Sequence, residues 1–148
     1  MDVGFSCRRL LFLLGVLSLF SPVPFTQAET LPPEAVVKQW TKLYGRDTIA
    51  AGRLTTDSFR GGTSPQVWGE KTQTFLKSFG YQHLGGKILS VQTSTAKASI
   101  VLRALIAAGD GVSWKRETYT LKRVGNQWLI DALDVKEDVE EDITDEQR

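Results

Sequence analysis

Near Tyr81 the spacing of apolar residues changes from about 3.6 to 2, and this change constrains the fold more than any other feature of the sequence. Upstream, Pro32-Pro33-Glu34 opens a helix with a proline suited to its first turn and an acid that complements its dipole. Val36, Val37, Trp40, Leu43 and Tyr44 then form one apolar stripe, ended by Gly45. Asp47 can cap a second helix carrying Ile49, Ala50, Leu54 and Phe59, against which Gly52 and the local threonines and serine count. After the loop Arg60-Gly61-Gly62-Thr63, Ser64-Pro65 starts a third helix with Val67, Trp68, Phe75, Leu76 and Phe79 at helical spacing, stopped by Gly80.

Downstream, no proline follows Pro65, so the ladder's commonest obstacle is absent. Strands are expected at 81–93, 96–107, 112–124 and 127–135, with a bulge or bend at Gly85-Gly86. The short turns Ser94-Thr95, 108–111 and Gly125-Asn126 make neighbours antiparallel. The expected fold class is therefore α+β, three N-terminal helices packed on a curved four-stranded antiparallel meander. Parity puts Ala98, Ile100, Leu102, Ala104 and Ile106 on one face, and Trp128 and Ile130 with them against the helices. The opposite face then holds Val101, Leu105, Leu129, Asp131 and Leu133, more apolar than water requires, and a second copy of the chain is the simplest cover.

The ends differ from this body. Arg8 and Arg9 precede an apolar run at 10–20, and Thr26-Gln27-Ala28 offers small residues for cleavage, so 1–28 is expected to be an export signal. As a helix that run spans only ~16 Å, against ~30 Å of hydrocarbon, so no stable membrane anchor is expected. Cleavage after Ala28 leaves one domain, 29–136, followed by an acidic tail, 137–148, expected to be disordered. Cys7, the only cysteine, lies in the leader, so the periplasmic or secreted product has no thiol, disulfide or cysteine metal ligand. Residues 29–148 carry equal numbers of acids and bases. From Asp134 onward, however, eight acids face two bases, which leaves the body basic. That tail reads as solubilising or as a cover for a basic patch of the body or of a partner.

Pro33-Glu34-Ala35-Val36-Val37 with Trp40 and Tyr44, then Tyr119-Thr120-Leu121 and Gly125-Asn126-Gln127-Trp128-Leu129-Ile130, resemble the opening helix and closing hairpin of the nuclear transport factor 2-like superfamily, the cystatin-like α+β cone. The likeness covers about 31–135 and implies a bent sheet with a pocket between it and the helices. Proteins of this superfamily include ketosteroid isomerases, scytalone dehydratases, polyketide cyclases, exported domains and protein-binding modules, so the fold alone does not choose a function. None of the enzymes' catalytic sets is matched here.

Three residues are weak candidates for chemistry. His83, the only histidine, suits a lone general base, although an edge histidine is the plainer reading. Asp131 among leucines would be desolvated and its pKa raised, but parity turns it outward toward Arg103, Lys122 or Arg123. Tyr119 could assist either. Trp40, Tyr44, Ile100, Leu102, Trp128 and Ile130 are expected to line the pocket, where the competing reading is plain core. Arg103, Lys115, Arg116, Lys122 and Arg123 suggest a basic strip that Glu117 interrupts; in a neutral exported chain this does not point to nucleic acid. No phosphate-cradling loop, nucleophile elbow or clustered metal ligands occur, so no cofactor and no metal is expected. The reading that results is an exported, non-catalytic binding or protein-interaction module, taking a small apolar ligand or a protein partner and possessing an outer face suited to a homodimer. The alternative is an isomerase-, dehydratase- or cyclase-type enzyme using the cone pocket.

Overall fold

A computed structural model describes residues 30–138; the expected leader and the tail from 139 onward lie outside the described residues. Helix α1, Pro33–Leu43, buries Pro33, Val36, Val37 and Trp40, and the chain leaves it through Gly45 at φ +90. Helix α2, Thr48–Gly52, is capped by Asp47, whose carboxylate accepts from the Ala50 amide at 2.9 Å. It ends sooner than the stripe running to Phe59 suggests. A Cβ on Gly52 would lie 2.9 Å from the Trp68 ring, and the chain beyond is gathered around a buried arginine. The Arg60 guanidinium donates to the Gly52 and Thr55 carbonyls, to Thr55 Oγ1 and to the Thr63 carbonyl, and pairs with Asp57. Leu54 and Phe59 still reach the core, from this turn instead of from a helix.

Helix α3, Pro65–Ser78, starts at Ser64, whose hydroxyl accepts from the Val67 amide at 3.2 Å. It crosses α2 at Gly69, where a Cβ would stand 2.7 Å from the Ile49 backbone. Thr48 Oγ1 clasps the crossing by donating to the Gly69 carbonyl at 2.7 Å.

The sheet runs β1 (Gln82–Thr93), β2 (Lys97–Ala108), β3 (Gly111–Val124) and β4 (Gln127–Glu137), in that spatial order, curved, unclosed and antiparallel throughout. The expected α+β architecture is therefore the observed one. Ala98, Ile100, Leu102, Ala104 and Ile106 are buried under the helices, joined by Tyr119, Leu121, Trp128 and Ile130. Strand β1 bulges at Leu84 and Leu89, the residues skipped in its register with β2. At the neighbouring Gly86 the β2 backbone comes so close that a Cβ would meet the Arg103 carbonyl at 2.8 Å, which only glycine tolerates.

A third bulge corrects the expected faces. Thr120 pairs with Ala132 and Leu121 with Ile130, so Asp131 is the extra residue and alternation in β4 restarts after it. Leu133 consequently pairs with Tyr119 and packs against the core, not on the outer face with Val101, Leu105 and Leu129. A loop holds this bulge. The Ile130 amide donates to the Leu54 carbonyl and its carbonyl accepts from Thr56, each at 2.9 Å, which adds a short parallel bridge along the β4 edge. On the outer face, Arg103 lies 4.6 Å above the Trp114 ring, and the Asp138 carboxylate spans Arg103 and Arg116.

Candidate functional site

The centre of the site is a residue that sequence reading assigned to a surface strip. Alternation along β3 turns Glu117, Tyr119 and Leu121 inward, opposite Leu102, Ile100 and Ala98 of β2. Glu117 is thereby 3% exposed, inside the apolar wall of the cone. A carboxylate in such a place requires partners. Tyr119 supplies one, its hydroxyl donating to Glu117 Oε2 at 2.7 Å. His83 supplies the second: its Nε2 lies 3.6 Å from the same oxygen, beyond hydrogen-bond length and within ion-pair reach once the imidazole is protonated. That nitrogen is buried and has no hydrogen-bond partner among the described residues.

An aromatic stack surrounds the group. Tyr44 lies on Trp40 with ring centres 4.2 Å apart, and Tyr81 meets Tyr44 and Tyr119 meets Trp40 edge to face, at 5.3 and 5.6 Å. Burial, and after it the negative charge of Glu117, pushes the phenols of Tyr119, Tyr81 and Tyr44 above the ordinary tyrosine range. All three therefore keep their protons at neutral pH.

One side of this cluster opens. A cleft of about 1130 Å³ runs between α1, the turn after it, the end of α3 and strand β1. Val37, Leu76, Ile88 and Leu102 give it an apolar lining, with Tyr44, Tyr81 and His83 among its other walls. Glu117 and Tyr119 do not line it. The His83 side chain, 7% exposed, thus lines the cleft and lies 3.6 Å from the buried carboxylate. Chemically, an imidazole at a cleft wall with a carboxylate behind it has the geometry of a base held in place by a positioning group. Among the described residues no three histidine, cysteine or acidic side chains are grouped so as to hold a metal ion.

The expected residues therefore separate. His83 and Tyr119 come together through Glu117, whereas Asp131 stands apart on the β4 bulge. Its carboxylate accepts from Thr56 Oγ1 at 2.8 Å and pairs with Lys122 Nζ at 2.7 Å. The Lys122 bond, with help from Thr56, holds its pKa below the usual carboxylate value, not above it as desolvation by leucines would require. Asp131 is an anchor for the loop that borders β4. Of the six expected lining residues, Tyr44 and Leu102 border the cleft; Trp40, Ile100, Trp128 and Ile130 are packed core. Glu117 was missed because its charge was weighed with its neighbours in sequence. The signal was present in its parity with Tyr119 and Leu121.

No protein-family model matches this chain, and no curated protein matches it in sequence. Solved structures do. A cystatin-like domain of unknown function from Nostoc punctiforme superposes with a TM-score of 0.55 at 13% identity, over 70% of this chain and 73% of that one. A designed NTF2-like protein gives 0.54 at 9% identity, over 70% and 95%. Bd1075 of Bdellovibrio bacteriovorus gives 0.54 at 9% identity over 70% of this chain, which spans only 38% of its length. The chain thus has the NTF2-like, cystatin-like fold, and at these identities the likeness extends to the fold alone.

Proposed function

We propose that this domain is a small-molecule-binding module that takes its ligand into the cleft between α1, the end of α3 and β1. The observation carrying this reading is an open cavity of about 1130 Å³ that combines an apolar part, Val37, Leu76, Ile88 and Leu102, with polar and cationic side chains, beside one buried imidazole nitrogen that has no hydrogen-bond partner among the described residues. Ligand sites combine apolar surface with polar groups that fix orientation. Whether a small molecule is then merely held or also transformed depends on the couple behind the wall. Glu117, buried and aligned on His83, favours a second reading, proton transfer to or from a bound carbonyl compound, with His83 as the base and Glu117 as the residue that positions it.

Titrating the isotope-labelled domain with 1-decanol, followed by amide shifts, tests the first reading. Shifts are expected at Thr41, Tyr44, Gly45, Tyr81, His83 and Leu102, and Ile88→Asp, which puts a charge into the apolar part of the lining, should weaken binding. Shifts absent, or scattered over the outer face of the sheet, would overturn it. Exchange of the α-hydrogens of a bound cyclic ketone for deuterium tests the second. It should fall at least about tenfold in Glu117→Gln with ketone affinity unchanged, and equal exchange in variant and parent removes the enzyme.

A further inference from the structure

The mouth of the cleft has a property that a site for neutral apolar compounds does not need. Five cationic side chains border it: Lys38 and Lys42 from α1, Arg46 from the following turn, Lys77 from the end of α3, and Lys87 from β1. No aspartate or glutamate lines the same cavity. On the sheet several of the body's cations are matched in place, although Arg53, Lys71, Lys97 and Arg123 make no ion pair among the described residues. Lys115 pairs with Glu137, Arg116 with Asp138, Lys122 with Asp131 and Lys136 with Asp134. None of the five at the cleft makes an ion pair among the described residues, and all five are exposed. They come from separate elements that only the fold brings together, so the concentration of charge is not a run in the sequence. The body before Asp134 carries more bases than acids, and the cleft mouth gathers five of those bases with no acid among its lining residues.

Deeper in, the character changes to Val37, Leu76, Ile88 and Leu102 with the rings of Tyr44 and Tyr81. The nearby negative charge, Glu117, does not line the cleft and is occupied by Tyr119 and His83. Like-charged groups left unpaired around a low-dielectric opening focus a positive field there and concentrate anions.

We propose that the ligand is an amphiphilic organic anion, its apolar part against Val37, Ile88 and Leu102 and its acidic head among Lys38, Lys42, Arg46, Lys77 and Lys87. This rests on the cleft being a ligand site at all, and the test separates the two statements. The affinities of the full chain without its leader for decanoate, 1-decanol and decyltrimethylammonium are measured by calorimetry at about 0.01 M and about 1 M salt, conditions that shorten the screening length from about 30 Å to about 3 Å. Decanoate is expected to bind at least about tenfold more tightly than decanol at low salt, with the cation weakest and the preference largely gone at high salt. Lys42→Glu combined with Lys77→Glu should erase the preference for decanoate over decanol. Equal binding of decanoate and decanol, or a preference insensitive to salt and to the double substitution, overturns the inference and leaves the ligand site standing. Binding of none of the three overturns both.

Discussion

Glu117 shows how much one side chain can impose on its surroundings. Fixing a carboxylate inside the cone requires partners, and the chain commits a tyrosine hydroxyl, which donates to it, and its only histidine, 3.6 Å away, to that place. The three tyrosines of the sequence all lie in its field, and each has its pKa raised above 10.0, by burial first and by that charge second. A raised folded-state value favours the neutral phenol in the folded protein, so the associated stability is present below pH 10.0 and is lost as pH climbs beyond it. Ultraviolet titration of the native protein at pH 10 should therefore find well under half of the phenols ionised, against about half in denaturant. Urea midpoints should fall with each step of pH above that point, and Tyr119→Phe should flatten the decline while costing about 1–3 kcal/mol at neutral pH. Native and unfolded titration curves that coincide would show that the phenols are not buried beside a charge. His83 was legible in the sequence as a lone titratable group. Its partner was not, because a glutamate flanked by Arg116 and Thr118 looks like surface until its strand is given two sides.

At the scale of elements, the apolar period located the first and third helices and all four strands within a residue or two, since caps, prolines and glycines sit at their ends. It failed where tertiary contact decides. The second helix stops at Gly52 because Trp68 and Arg60 occupy the space and the carbonyl that a continued helix would need. The bulge at Asp131 is equally invisible in a sequence read by strict alternation, because it depends on Thr56 and Lys122 reaching one carboxylate from other elements. Gly69 marks the closest approach of two helices and gives a direct test. Alanine there gains about 1 kcal/mol of helix propensity but pushes a methyl group against the Ile49 backbone, which overpacking estimates put at about 1–3 kcal/mol. The crossing should win, and Gly69→Ala should lower the urea midpoint. A midpoint raised by the substitution would mean that α2 and α3 separate at little cost.

For the molecule as a whole, the α+β cone was readable from the order of its periods, while the cleft was not. The expected pocket was drawn from the largest apolar side chains, and those with the best packing became core. The actual opening lies at the β1 side, where glycines and lysines reduce the apolar signal. The proposal that 1–28 is an export leader, which rests on Arg8, Arg9 and the apolar run at 10–20, also belongs to this scale, and intact mass tests it: protein recovered from outside the cytoplasm should begin at Glu29. A mass corresponding to retention of Met1 to Ala28 would count against it.

The loop bonded to Ile130 has a consequence for association. It occupies both main-chain groups that Ile130 turns to the outside, midway along one border of the sheet. A foreign strand seeking a continuous ladder finds that border interrupted, whereas the β1 border, though kinked twice, pairs with no further strand among the described residues. A strand added along β4 would therefore have to begin beyond Ile130, on the stretch that runs to Glu137, and could not reach back across the loop to the hairpin.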